Sequence, residues 1–378
     1  MSKRYCIFLS ALFCVFLWGI LIANVLAPDR TRSELENREL AQFPALSLSA
    51  LRSGAFMSRF ETYVTDQFVL RDQWVAMKST LERGLGKLEN NGVYFCAQDT
   101  LISRFEKPDP ERLAGNLSYV NKFVENVDIP VYFSLIPTQA CIWADRLPAG
   151  APNASQEEIL EQARTASAAR WYDTYPQLWE HRTEEIFYRT DHHWTSLGAY
   201  YGYVALAQGM GLEPAPLSHY TRTTVSTEFY GTVFSSSGVR WVAPDRMDVY
   251  VPDTGLRVVS YTYDQQGNPV EEPRPLYDKS YLEKKDKYAM FLGGQQALGV
   301  VYNDNNPGGP KLLLVRDSYS DSLVPFLAAH FSEIHLIDLR YYKLSAAGYI
   351  QEHGIDAAAV LYSVPNFVSD SNLVWLGR

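Results

Sequence analysis

At 378 residues the chain has room for one large domain or two small ones. With 47% hydrophobic and 20% charged residues, its composition is that of a globular protein able to bury a sizeable core. A formal net charge of −9 argues against nucleic acid and anionic lipid headgroups as partners, because both would be repelled. The 25 tyrosines have two readings: a β-rich core and surface, or aromatic platforms for sugar rings, which have one apolar face and a polar rim.

In chain order, Tyr5 to Ala27 is an unbroken apolar run without charge, long enough to cross a bilayer as a helix. Lys3 and Arg4 precede it and place the N-terminus in the cytoplasm, with everything after Pro28 outside. The competing reading is a cleaved signal peptide, for which Val25-Leu26-Ala27 offers small residues. The apolar stretch is longer than a signal core and Pro28 hinders cutting, so an uncleaved single-pass anchor in the cell membrane is favoured. Cys6 and Cys14 lie in this segment. Cys96 and Cys141 lie in the exported part, where a disulfide can persist; their spacing carries no metal signature and leaves pairing open. The sequons at Asn116 and Asn153 matter only in a secretory eukaryotic host.

Arg30 to Leu51 reads as a charged, turn-rich linker, and Met57 to Leu88 has helical periodicity. Asn91-Gly92 breaks that pattern ahead of a small hairpin from Val93-Tyr94-Phe95 and Thr100-Leu101-Ile102. Pro110 to Val127 is helical, Ile129 to Pro137 is a continuous apolar run expected of a buried parallel strand, and Ser155 to Tyr175 is helical again. Between Pro214 and Asp286 the rhythm changes to strands. Met247–Val251 and Leu256–Tyr263 flank Asp253-Thr254-Gly255 as a hairpin, and Gly267-Asn268-Pro269 marks a further turn. Lys311–Val315, Ile334–Asp338 and Ala358–Tyr362 are further buried strands, with a helix-like run from Asp321 to Phe331. Strand and helix alternation predicts an α/β fold with a β-rich insertion.

Asp191-His192-His193-Trp194 follows the β-like Glu185–Tyr188 and precedes a helix from Ser196 to about Gln208. On an extended backbone Asp191 and His193 project to the same side. The carboxylate can then take one imidazole N–H while the other nitrogen faces outward, the orienter and base of a Ser-His-Asp triad. Ser318, at the turn after Lys311–Val315, is the candidate nucleophile, with N–H groups of the following helix aimed at the reacting carbon. Its neutral hydroxyl needs an adjacent base, and His193 supplies it. Taken alone, Ser318 reads as a helix cap with Asp317, Ser320 and Asp321 as rivals, and Asp191 as a cap or turn residue. Neighbours on a strand point to opposite faces, and the seven histidines form no ligand pattern with Asp or Cys. A metal site, and a zinc-dependent carbohydrate deacetylase with it, is therefore disfavoured. Trp194 is expected to pack beneath the site, with substrate stacking as the minor reading.

Asp191-His192-His193-Trp194 together with Leu314-Val315-Arg316-Asp317-Ser318-Tyr319-Ser320 resembles the DHHW protein family. That family is similar to the alginate O-acetylation proteins, which are exported SGNH-hydrolase-like enzymes. Matching pieces extend from Glu36-Asn37-Arg38 and Asp66-Gln67-Phe68 with Arg71 to Phe291-Leu292-Gly293-Gly294 and Asp338-Leu339-Arg340-Tyr341-Tyr342. The resemblance implies a three-layer αβα fold with a mostly parallel sheet. Residues 1–27 would be a cytoplasmic stub and transmembrane signal-anchor and 28–90 a juxtamembrane linker and helix. Residues 91–378 would be the SGNH-like catalytic domain, with the β-rich insertion at about 214–286. Asp191, His193 and Ser318 carry over as the triad, in permuted order. Tyr319, Gly294 and Gln295 carry over as oxyanion or substrate-binding candidates, since glycines let backbone N–H groups approach closely; many relatives carry Asn where this chain has Gln295. Arg316, Arg340 and Tyr341 either orient the site or substrate or serve a structural salt bridge or core hydrogen bond.

The leading expectation is acetyl transfer through an acetyl-serine to a hydroxyl of an extracytoplasmic polysaccharide. No cofactor is expected, since acetyl-CoA is not expected outside the cytoplasm. The resemblance implies a donor relay through a membrane-bound O-acyltransferase, whose effective concentration an anchor would raise. The same triad with water as acceptor is a carbohydrate O-acetyl esterase. The third reading is a non-catalytic glycan-binding scaffold of an export complex.

Overall fold

The computed structural model describes residues 3–33, 36, 38–252, 255–263 and 269–378. Asn37 and the predicted turn residues Asp253-Thr254 and Gly267-Asn268 lie outside the described residues. The chain forms two compact units, Met1–Asn90 with Gly238–Arg240, and Asn91–Ser237 with Trp241–Arg378.

In the first unit, helix α1 (Lys3–Leu26) buries none of its residues and is long and apolar enough to cross a membrane. The predicted run from Met57 to Leu88 is two helices, α2 (Ala55–Asp66) and α3 (Arg71–Gly84). Leu70 between them takes a left-handed φ of 56°, which ends helical propagation. Asp66, buried at the end of α2, accepts both terminal nitrogens of Arg38 (2.9 and 2.6 Å) and the Ala41 N–H (2.9 Å). Glu36 accepts from Arg38 Nε at 2.7 Å and from Arg71 Nη1 at 2.5 Å. Hydrogen bonds from Arg38 hold the Asp66 carboxyl below the usual range against the opposing effect of burial. The scattered Glu36, Arg38, Asp66 and Arg71 are thus one ion-pair network.

The second unit opens with hairpin β1 (Val93–Cys96) and β2 (Thr100–Ser103). Helix α4 (Pro110–Glu125) starts at Asp109, whose side chain accepts the Glu111 N–H, with Pro110 in the first turn where no donor is needed. Then follow β3 (Val131–Ile136), α5 (Gln156–Ala166), β4 (Arg170–Trp171), α6 (Ser196–Gly209), β5 (Tyr220–Phe229), α7 (Thr232–Ser237) and β6 (Asp245–Pro252). The chain ends with β7 (Leu256–Tyr263), β8 (Pro269–Arg274), β9 (Leu298–Asn303), β10 (Lys311–Arg316), β11 (Glu333–Ile337), α8 (Ala346–His353), β12 (Ala357–Ser363) and α9 (Val364–Ser369).

Eight strands make the main sheet, in the order β8-β7-β9-β11-β10-β12-β3-β4. From β11 to β4 the neighbours are parallel, and from β11 to β8 they are antiparallel. All of β3 and all of β10 except Lys311 is buried, as strands covered by helices on both faces must be. The architecture is a three-layer αβα sandwich with a mostly parallel sheet. Against one layer, Phe133 of β3 meets Phe367 of α9 with ring centroids 5.4 Å apart. Asn116, far from being an exposed sequon, is buried and donates from α4 to the Phe367 and Asp370 carbonyls.

The β-rich stretch departs from its predicted pairing. β6 pairs antiparallel with β5, while β7 pairs with β8 and β9 in the main sheet. Met247–Val251 and Leu256–Tyr263 therefore do not form a hairpin, because each finds its ladder partner elsewhere. Cys96 is partly buried, Cys141 is buried, and the two are unpaired, with burial pushing both thiols up to about 12. The carboxyl ends of the parallel strands bring Gln139, Ser318, Asp338 and Ser363 to one edge, where α/β folds place their sites.

Candidate active site

Glu185–Tyr188 is not a strand of the sheet. Among the described residues it contributes only a bridge, Phe187 to Trp194, which closes a bent loop carrying Asp191-His192-His193. Thr190 anchors that loop: its N–H and hydroxyl donate to Asp245 Oδ2 at 2.8 and 2.6 Å. Buried Gln139 donates to the Asp191 and Tyr188 carbonyls at 2.6 and 3.2 Å. On the C-terminal side Trp194 is fully buried against α6. A Cβ at Gly202 would stand 2.5 Å from its indole, and one at Gly198 2.9 Å from its Cβ. The indole Nε1–H donates to the Tyr319 carbonyl at 2.8 Å, so Trp194 ties the loop to the turn after β10.

Within the loop the backbone curls around the Asp191 carboxylate. Oδ1 accepts the His193 backbone N–H at 3.0 Å and faces His193 Nδ1 at 2.6 Å. Oδ2 accepts the Thr232 N–H at 2.7 Å and its hydroxyl at 3.0 Å. Gly231 permits this approach: a Cβ there would lie 2.2 Å from the Asp191 carboxylate. Burial alone would push the Asp191 carboxyl up, but the facing imidazoles and the hydrogen bonds from His193 and Thr232 together hold it far below the usual range. Nε2 of His193 lies 2.8 Å from Ser318 Oγ. Asp191 and His193 are buried and Ser318 is partly exposed, so the serine is the member a substrate can reach.

His192 and His193 do not point to opposite faces, because the loop is bent; their rings lie 3.9 Å apart. Asp191, His192 and His193 place potential ligand atoms within 4.8 Å of one another. Both Asp191 oxygens and both His193 ring nitrogens are nevertheless engaged in the hydrogen-bond chain, and His192 Nδ1 sits 2.6 Å from Thr232 Oγ1.

Within the predicted helix-like run from Asp321 to Phe331 the α-helix is short, Val324–Leu327, and Ser318 begins a 3-10 turn, Ser318–Ser322. Asp317 caps it by accepting the Tyr319 N–H at 3.0 Å, so that N–H is already engaged. The other Asp317 oxygen takes the Ser363 N–H and hydroxyl, both at 2.8 Å, and Asn366 Nδ2 at 2.7 Å. Arg316 is 1% exposed with Nη1 2.6 Å from Asp321 Oδ1, an ion pair without surface for a substrate. Burial, opposed by Arg316, pushes the Asp321 carboxyl up to about 7. Arg340 grips Asp338 through Nε and Nη2, and the Tyr341 hydroxyl donates to Gln295 Oε1. Gly293 and Gly294 have φ of 74° and 88°, a left-handed path that favours glycine. Among the described residues no hydrogen bond joins Gly294, Gln295, Arg340 or Tyr341 to Ser318 or His193.

Sequence reasoning missed Tyr288, whose ring stacks on His193, and the supports Gln139, Gly231, Thr232 and Asp245. None sits at a telling distance from the motif, so no spacing signal announces them.

The family model described as DHHW protein matches residues 116–337. Among solved structures, the chain is similar to a DHHW family protein from Eubacterium siraeum DSM 15702. That match has 28% identity and a TM-score of 0.66, over 76% of this chain and 95% of that one. It is also similar to Bacillus cereus PatB1, solved with a sulfonyl adduct, with 20% identity and a TM-score of 0.62 over 73% of this chain and 96% of that one. A more distant similarity, at 16% identity and a TM-score of 0.45, is to the O-acetyltransferase domain of Pseudomonas putida AlgJ, over 74% of this chain and 93% of that one. Comparison with curated proteins finds no match. With the family model spanning more than half of its length, including Asp191–Trp194 and Leu314–Ser320, this chain belongs to the DHHW protein family.

Proposed function

We propose that the protein is an extracytoplasmic polysaccharide O-acetyltransferase, anchored by α1, that carries the acetyl group on Ser318. The observation that supports this most is the unbroken relay from Asp191 Oδ1 to His193 Nδ1 (2.6 Å) and from His193 Nε2 to Ser318 Oγ (2.8 Å). Ser318 Oγ attacks the acetyl carbonyl while His193 Nε2 takes its proton. The donor's ester bond breaks, its leaving oxygen takes that proton, and acetyl-Ser318 remains. A sugar hydroxyl then attacks, its proton passing to His193, and the Ser318 oxygen leaves and recovers the proton. Asp191 holds the tautomer and stabilises each imidazolium.

The choice of acetyl and sugar follows the resemblance to the alginate O-acetylation proteins. In this reading residues 1–27 are the cytoplasmic stub and anchor, 28–90 the juxtamembrane segment and 91–378 the catalytic domain. A membrane-bound O-acyltransferase is the proposed donor relay, and no cofactor takes part. Gly294 and Gln295 are the proposed oxyanion contributors, while Arg340 and Tyr341, on the same strand-end edge, are proposed to shape the substrate's approach.

The test uses full-length protein in detergent with an aryl acetate as donor and candidate oligosaccharides as acceptors. The expected products are acetylated sugar and an acetyl adduct on Ser318 by peptide mass. Ser318→Ala is expected to lower kcat by about 10⁴-fold or more, the scale of losing a triad member. Free acetate with unmodified sugar would make the protein an esterase, and unchanged turnover in Ser318→Ala would remove the triad from the mechanism.

A further inference from the structure

We propose that Tyr288 is a positioning residue for the reacting pair, holding the His193 imidazole by stacking and the Ser318 backbone by a hydrogen bond. The inference rests on the triad reading above.

Tyr288 lies in a 3-10 turn, Lys287–Met290, ahead of β9. Its ring is almost parallel to that of His193, with centroids 3.7 Å apart and planes 8° apart. Its hydroxyl donates to the Ser318 carbonyl at 3.2 Å and lies 3.0 Å from Ser322 Oγ. One side chain therefore touches both the base and the nucleophile's own residue. Phe291 and Tyr188 back the ring, with centroids 5.1 and 6.4 Å away, so it has little room to tilt. Burial raises the phenol well above its ordinary value and keeps it a neutral donor.

Two effects follow. Each half of the proposed reaction places a proton on His193 Nε2, and the resulting imidazolium faces the electron-rich surface of the phenol, which favours a cation. The stack also restricts rotation of the imidazole, keeping Nε2 aimed at Ser318 Oγ. Meanwhile the hydroxyl fixes the carbonyl of the turn that presents that Oγ, a turn Trp194 already holds at Ser322 Oγ (3.1 Å). Phenylalanine would fill the same space and keep the stack while losing the carbonyl bond, so the two contributions are separable.

The test measures how fast Ser318 of the full-length protein in detergent reacts with phenylmethylsulfonyl fluoride. An Oγ–S bond forms, the S–F bond breaks, fluoride leaves and the serine proton passes to His193. Wild type, Tyr288→Phe, Tyr288→Leu and Ser318→Ala are compared by intact mass, with thermal melting as the fold control. Transferase kcat and acceptor KM are measured alongside. Tyr288→Phe is expected to label roughly 3- to 10-fold more slowly. Tyr288→Leu is expected to label about 30- to 100-fold more slowly, with the same loss in kcat and an unchanged acceptor KM. Cooperatively melting Tyr288→Leu that labels at the wild-type rate, or that changes only KM, overturns the proposal. If Tyr288→Leu does not melt cooperatively, the near-isosteric Tyr288→Phe decides: slower labelling sustains the proposal and a wild-type rate overturns it. Undiminished labelling of Ser318→Ala would instead overturn the triad reading, a failure distinct from that of Tyr288.

Discussion

Asp191 accepts hydrogen bonds on both oxygens in a buried loop, and this links the site's chemistry to the protein's stability in acid. Its folded-state carboxyl titrates below its unfolded value near 4. In acid the unfolded chain then binds more protons than the folded one, so stability falls as pH falls. The contribution is complete above about pH 4 and is lost as pH drops through the depressed folded value. Asp191→Asn is expected to lower stability at pH 7 by roughly 2 kcal/mol, the scale of charge-assisted hydrogen bonds. The difference from wild type should shrink as pH falls below 4; urea titrations at pH 7 and pH 3 measure both values. A constant difference at both would mean that the carboxylate's charge contributes nothing. The relation between Asp191 and His193 was legible in the sequence because it is local, two residues apart. Thr232 and Gln139 were not, because their hydrogen bonds span 41 and 52 positions.

At the scale of elements, helix α6 owes its place to two glycines one turn apart, Gly198 and Gly202, which form a notch for Trp194. Gly202→Leu fills the notch and is expected to displace the indole, costing roughly 1–3 kcal/mol by overpacking. Because Trp194 donates to the Tyr319 carbonyl, the same change should slow Ser318 chemistry. Thermal melts and turnover check the two effects, and an unaltered melt would show that the indole has another seat. The buried strands were readable as continuous apolar runs, since burial on both faces needs no partner information. Pairing was less readable. β6 and β7 flank turn-forming residues, yet a ladder is chosen by all the edges available, and β5 and β9 competed better. The run from Asp321 to Phe331 likewise promised a long helix; its α-helix spans Val324–Leu327, because Asp317 and Ser322 bond locally to backbone groups and hold Ser318–Ser322 as a 3-10 turn.

For the whole molecule, α1, none of whose apolar residues is buried, sets the expectation that the chain stays in membranes. The full-length protein should resist alkaline carbonate extraction, and a shorter, soluble product would instead indicate a cleaved signal. His193 and Ser318 lie 125 positions apart, and no sequence pattern states that distance; the tertiary fold closes it. The main sheet imposes a timetable on folding. β12 lies between β10 and β3, and β3 is made more than two hundred residues earlier. As the chain emerges, β3 must wait with a bare, apolar edge until β12 arrives, an arrangement that folds slowly and invites mispairing meanwhile. Loss of β12 would therefore open the middle of the sheet rather than fray its margin.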